Sequence, residues 1–251
     1  LRCGVQPAAQ GDEIGNVVRG GKGRSDFHGE RLYRRLPTPI EQVSFSVMHH
    51  PLLDLLTGAA EGRFPDVDGA VTVLPPLAGG WECSVAFTGH AVVATARSAD
   101  EVLGQGPDGY GGSMAPDFLR WLAGPKGFVG VIDVMLYARG TGASTLPLRT
   151  DADDHPRVQY ARQYRSDVRV YGDERGLVTI GAGLAGRREL SVEADTHNRG
   201  FGTALIKEAV GLVPVGELLF AAVSPGNARS LRAFLSLGFT PIGSEALIRP
   251  A

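Results

Sequence analysis

From residue 48 onward the hydrophobic positions fall into short periodic runs, and their period sorts them into elements. Leu52, Leu53, Leu55 and Leu56 follow Pro51 and predict a short helix over about 51–60. Val71–Leu74 reads as a strand, closed by Pro75 and Pro76, which have no N–H for a ladder. Ser84–Thr95 is a second strand region, β-branched around Gly89 and His90. Ser98-Ala99-Asp100-Glu101 fits a capping box and opens a short helix. Ala115–Leu122 is helical in period. Val129–Tyr137 predicts a buried strand, its apolar run broken only by Gly130 and Asp133. Arg139–Ser144 is a loop that ends this first lobe.

The pattern beyond residue 145 is more regular. Leu146–Arg149 predicts a short strand. Asp151–Asp154 supply N-cap chemistry, Pro156 suits a first turn, and the helix runs to Tyr164. Val168–Tyr171 and Leu177–Ile180 read as strands of a hairpin joined through 172–176. Leu190–Ala194 is a strand, Gly202–Val210 a helix, Leu218–Val223 a strand, Ala228–Leu237 a helix and Phe239–Ile248 a final strand. The order β-α-β-β-β-α-β-α-β predicts an α/β fold with a mixed sheet flanked by helices. It follows a smaller α/β lobe at 48–143 that could be a degenerate relative. Residues 1–47 carry Gly11, Gly15, Gly20, Gly21, Gly23 and Gly29 and little periodicity, so they read as a disordered arm or a non-native extension, with Met48 as an alternative start.

Composition narrows the function classes. The 251 residues are 43% hydrophobic and 21% charged, ordinary for one or two globular domains. A net charge of −2 gives no general attraction to nucleic acid. No run approaches the roughly 18 apolar residues of a membrane span. Cys3 and Cys83 are not at metal-ligand spacing, so no metal and a reduced, cytoplasmic setting are expected. His49, His50 and His90 are also not at metal spacing. Each reads as a satisfied or solvent-facing histidine, although His90 could line a cleft between lobes.

Two segments carry candidate chemistry. His197-Asn198-Arg199-Gly200-Phe201-Gly202-Thr203-Ala204-Leu205 lies between a strand and a helix. A glycine-bearing turn there exposes backbone N–H groups at the positive end of the helix dipole, which suits a pyrophosphate. An ordinary tight turn has the same composition. Asn227 through Phe239 follows the next strand; Asn227 can cap the helix and Gly238 can end it. Gly181-Ala182-Gly183-Leu184-Ala185-Gly186 matches a dinucleotide-binding pattern. That motif must open a helix, whereas a strand pattern follows, so it reads as a turn.

Taken in order and spacing, the two segments resemble the signatures of the GNAT superfamily of acyl-CoA N-acyltransferases. The family's Gln/Arg-x-x-Gly-x-Gly/Ala is matched by His197 to Gly202. Its Asn-x-x-Ser/Ala is matched by Asn227 to Ser230, seven residues before Leu237-Gly238-Phe239. The resemblance covers about 145–251. It implies acetyl-CoA as acyl donor and an amine acceptor, on a small molecule or a protein. The main chain at Leu190–Val192 would run beside the pantetheine arm. The amides of Asn198 to Thr203, among them Arg199, Gly200, Phe201 and Gly202, would hold the pyrophosphate. Asn227 and Ser230 would contact the cofactor from the next helix, and the thioester would enter a gap where two core strands splay.

Strand alternation puts Glu189, Ser191 and Glu193 on one face and Leu190, Val192 and Ala194 on the other. The carboxylates would face the acceptor side, so Glu193 or Glu189 could be the general base; alternatively they are strand carboxylates, one of them paired with Arg187 or Arg188. His197 replaces the family's Gln or Arg. Phe234 stands where many members carry the Tyr that protonates the leaving thiolate. That departure keeps a second reading open, a catalytically silent CoA-binding or regulatory module. The acceptor and the oligomeric state have no signature in the sequence.

Overall fold

The structure is a computed structural model that describes residues 49–195 and 200–251. His197, Asn198 and Arg199, and the stretch before residue 49, lie outside the described residues.

Nine strands form one mixed sheet in the order β1-β3-β2-β9-β4-β8-β7-β6-β5. Their ranges are β1 Val71–Leu74, β2 Glu82–Phe87, β3 His90–Ala94, β4 Phe128–Arg139, β5 Ser166–Asp173, β6 Gly176–Ala182, β7 Arg188–Ala194, β8 Leu218–Val223 and β9 Thr240–Arg249. The helices are α1 Pro51–Ala60, α2 Ala99–Leu103, α3 Pro116–Ala123, α4 Pro156–Tyr164, α5 Phe201–Gly211 and α6 Ala228–Ser236. Strands from both sides of the Arg139–Ser144 loop share this sheet. β4 lies between β8 and β9 and is antiparallel to both. The mixed α/β class read from the sequence is therefore the observed one.

Local chemistry explains most boundaries. Ser98 and Glu101 make both bonds of the capping box on α2. The predicted strand over 84–95 is a hairpin, because Gly89 takes a left-handed conformation (φ 71°) that reverses the chain. The 172–176 connection is tighter than predicted: Asp173 pairs with Gly176, leaving a two-residue turn. Leu146–Arg149 is not a strand. It makes a single bridge, Leu148 to Tyr171, since Pro147 has no N–H for a ladder.

The two faces of the sheet are packed differently. On one, α5 and α6 cover Leu136, Leu190, Val192, Leu219, Ala221 and Val223 in a continuous apolar core. At the far end of that face, α3 packs Phe118, Leu119 and Leu122 against Val93, Ala246 and Ile248. On the other face, α1 seals Leu52 and Leu56 over Cys83, Val85, Met135 and Phe220. α4 lies on this second face toward β5 and β6, with Val158 against Val170 and Leu177.

Candidate functional site

Beneath α4, on the second face, the apolar packing gives way to charge. β7 is the reason. Its even positions Leu190, Val192 and Ala194 enter the core under α5, so its odd positions must face the other way. Arg187, just before the strand, and Glu189, Ser191 and Glu193 form that polar row. All but Glu193 are nearly inaccessible; Arg187 is 1% exposed.

Buried charges require partners, and here the partners come from three other elements. Arg187 donates through Nε and Nη2 to Glu189 Oε2 at 3.0 and 2.9 Å. It also reaches Glu245 on β9, with Nη2 at 2.9 Å from Oε1. Arg165, directly after α4, donates from Nε to Glu189 Oε1 at 2.9 Å and from Nη1 to Ser191 Oγ at 3.2 Å. Ser191 Oγ lies 2.6 Å from Thr179 Oγ1 across the β6–β7 pair. Farther along, Arg157 of α4 donates to Glu193 Oε2 at 3.1 Å.

Asp133 completes the group. A one-residue bulge on β4 between Val129 and Ile132 lets both of those side chains pack toward α3, and regular alternation from Ile132 onward puts Asp133 on the face of Met135, beside Glu245 on β9. Asp133 is 2% exposed, and its Oδ1 is buried with no hydrogen-bond partner among the described residues.

The electrostatics follow from this arrangement. Burial by itself would raise the Glu189 carboxyl. Arg165 and Arg187 outweigh burial and hold it at about 2. Two guanidiniums thus face two carboxylates, and among the described residues Asp133 forms no ion pair of its own. Burial first, then Glu245 and Glu189, push the Asp133 carboxyl up to about 8. The Glu245 carboxyl is raised by burial against the pull of Arg187. Burial also pushes the Tyr160 phenol up, and that of Tyr164. Cys83 is buried under α1 with its thiol pushed up, so it is no nucleophile.

This geometry revises the reading of β7. Both oxygens of Glu189 accept from guanidiniums, and its affinity for a proton is very low. Glu189 is therefore a strut that orients Arg165 and Arg187, and a poor proton acceptor. The pairing with Arg187 noted as the alternative is the observed state. Glu193 stands half-buried against Arg157, at the end of the strand nearest the turn.

The expected cofactor side is assembled from β7, β8 and the starts of α5 and α6. β7 and β8 are parallel, and they register at one residue pair, Glu189 with Phe220. Beyond it, 190–194 and 221–223 do not pair with each other, and the strands part toward their C-terminal ends. Gly200 is the N-cap of α5 with φ 76°, a left-handed turn that favours glycine, and no side chain among the described residues caps the helix. Phe201 packs partly into the core, Gly202 is buried, and Thr203 is half-exposed. Asn227 caps α6, its side chain accepting from the Ser230 N–H at 3.2 Å. Ser230 Oγ is fully buried and has no partner among the described residues. Phe234 is buried edge-on against Phe239, with ring centroids 4.9 Å apart.

Away from this site, His90 is a satisfied histidine. Its Nδ1 lies 2.8 Å from Asp68 Oδ1 and its Nε2 lies 2.9 Å from Thr72 Oγ1, tying β3 to the sheet edge at β1. No described helix is long and apolar enough to cross a membrane.

The sequence did not single out Asp133, Arg165 or Glu245 as site residues. A signal existed for Asp133, the one charge in the apolar run of β4. Arg165 and Glu245 reach the site only through tertiary structure.

No protein-family model matches the chain, and no curated protein matches it in sequence. Among solved structures, it is similar to a protein from Novosphingobium aromaticivorans DSM 12444 that is assigned to the GNAT family of acetyltransferases. The match covers 51% of this chain and 69% of the other, at 19% identity and a TM-score of 0.38.

Proposed function

We propose that the protein is an acyl-CoA-dependent N-acyltransferase that moves an acyl group, acetyl in the simplest case, from CoA to an amine. The observation that carries this reading is the parallel β7–β8 pair that registers at Glu189 and Phe220 and then parts. Such a gap leaves main-chain groups of β7 available to a strand-like ligand, and the pantetheine arm is one. In this reading Leu190–Val192 would run along that arm. The amides at 198–203 would take the pyrophosphate at the start of α5. Asn227 and the buried Ser230 hydroxyl, which has no partner among the described residues, would contact the cofactor from α6.

When bound, CoA supplies an activated thioester, so the protein has mainly to position the two reactants and handle one proton. The charged row beneath α4 lies on the face where the acceptor would approach. A second reading, a CoA-binding module without turnover, is favoured by one observation. Phe234 sits sealed against Phe239 and has no proton to give to a thiolate.

Calorimetric titration with acetyl-CoA and CoA, paired with an assay of thiol release, tests both readings. Saturable binding is expected in the wild type and loss of it in Gly202→Asp, which sets a carboxylate against the pyrophosphate site. A wild type that binds neither ligand at millimolar concentration would end the proposal. Binding without thiol release for any amine would leave only the silent module.

A further inference from the structure

We infer that Asp133 is the proton acceptor of this transfer, taking the proton that the attacking amine must lose. The inference rests on the acyl-transfer reading and supplies what Glu189, locked between two guanidiniums, cannot.

Position is the first argument. β4 and β8 are in register from Arg139–Leu218 to Val134–Val223. Asp133 is the next residue of β4, level with the C-terminal end of β8, the end at which β7 and β8 part. Strand alternation puts its side chain on the face of Met135 and Tyr137, the face that carries Arg187 and Glu189, away from the apolar core under α5. An acyl group held in the gap and an amine approaching from the α4 side would meet beside this carboxyl.

Asp133 also lacks a partner among the described residues. The other carboxylates in the cluster have guanidinium partners: Glu189 has Arg165 and Arg187, Glu245 has Arg187, and Glu193 has Arg157. Asp133 Oδ1 is buried and has none among the described residues. A buried acceptor without a donor is costly, and beside a gap that cost is relieved by a donor that arrives with the ligand. A primary amine or ammonium is such a donor.

The third argument is the setting of its affinity for a proton. The groups facing it are Glu245 on β9, Glu189 and Arg187 at β7, Arg165 after α4 and Tyr160 on α4. Burial and the two carboxylates outweigh the two guanidiniums and leave it titrating at about 8. That value lies close to working pH and between an ammonium and a carboxylic acid, which suits a group that must accept a proton and release it.

The step balances without another reactant. The amine nitrogen attacks the thioester carbonyl and forms the C–N bond. Asp133 accepts the N–H proton. The tetrahedral intermediate collapses, the C–S bond breaks with its electron pair going to sulfur, and the proton from Asp133 passes to the thiolate. The products are the amide and CoA thiol, and Asp133 returns to its starting charge. This route needs no donor at Phe234.

Thiol release from acetyl-CoA is to be followed from pH 6 to 10 with ethanolamine, spermidine, tyramine or water as the nucleophile. The wild type, Asp133→Asn and Glu193→Gln are compared, with CoA binding measured in each. The expected wild-type profile rises on a limb centred near pH 8. Asp133→Asn is expected to bind CoA within about threefold of wild type, to release thiol at least 100-fold more slowly and to lose the limb, an effect in the range general-base removal produces. Glu245→Gln, which removes a negative charge beside Asp133, is expected to move the limb to lower pH. That displacement keeps the test open should the Asn variant not fold.

Retention of rate and limb in Asp133→Asn, or loss of the limb in Glu193→Gln alone, overturns the inference and leaves the acyl-transfer reading intact. A limb unmoved in Glu245→Gln also counts against Asp133. A wild type that binds CoA but releases no thiol with any of these nucleophiles removes the catalytic role. Failure of CoA binding in the wild type overturns the underlying reading instead.

Discussion

The two faces of the sheet are built from the same strands and solve different problems. Under α5 and α6, Leu190, Val192, Leu205, Leu219 and Phe234 belong to one continuous apolar core. Under α4, the alternate residues of those strands carry Arg187, Glu189 and Asp133, each almost fully buried. Apolar packing tolerates exchange of one methylene for another at modest cost, whereas a buried ion network depends on every member. The first face therefore contributes stability that does not depend on pH. The second contributes a charge arrangement that a hydrophobic core would not need.

That contrast can be broken experimentally. Arg187→Met should have the largest effect, destabilising by about 3–5 kcal/mol in urea unfolding, because Glu189 and Glu245 lose a shared partner while staying buried. Replacing Arg165, Arg187, Glu189 and Glu245 together by Met, Met, Leu and Leu should recover most of this loss, since matched apolar replacement of buried ions is often neutral. If the single and quadruple variants were equally unstable, the network would not be acting as a unit. Leu205→Ala, on the apolar face, should lose about 2–5 kcal/mol with the pH dependence of stability unchanged.

Phe234→Tyr places a hydroxyl in that same core. A cost of about 1–3 kcal/mol in urea unfolding is expected if it finds no partner, with no gain in thiol release. A faster variant would show that a proton donor at 234 reaches the sulfur.

The most specific effect expected is one of pH. The folded Asp133 carboxyl titrates at about 8, against 3.8 for its ordinary value, so the folded state holds this proton more tightly than the unfolded one. Its contribution is present in full below the ordinary value and is lost as pH rises through about 8. Asp133→Asn should then melt a few degrees above wild type at pH 9, and the gap should close near pH 4. Glu189 works in the opposite sense. Its folded carboxyl is held at about 2, so its contribution is present above the ordinary value of 4.5 and lost as pH falls through about 2. An Asn variant that tracked the wild type from pH 4 to 9 would mean that Asp133 is not perturbed.

How much of this was legible before folding follows from what is local. Strand alternation placed Glu189, Ser191 and Glu193 on one face, because a two-residue period needs no tertiary knowledge. The capping box on α2 and the helix starts at Pro51 and Pro156 were equally local. The lone charge of Asp133 in an apolar run was visible, and its role was not. That role depends on the insertion of β4 between β8 and β9, a strand order set by contacts far apart in sequence. Glu245 and Arg187 are 58 positions apart and meet only in the folded sheet. Glu189 could be read as a base because nothing local announced that Arg165, 24 residues earlier, would close on it.

The central claim is that the parting of β7 and β8 is where CoA binds. Hydrogen exchange of backbone amides with and without CoA tests it most directly. The account predicts that CoA slows exchange at Leu190–Val192 and at Phe201–Thr203 and leaves α3 unaffected. Protection confined to another surface, such as the groove lined by Arg149, Arg162 and Arg169, would contradict it, as would no change at β7 under saturating CoA.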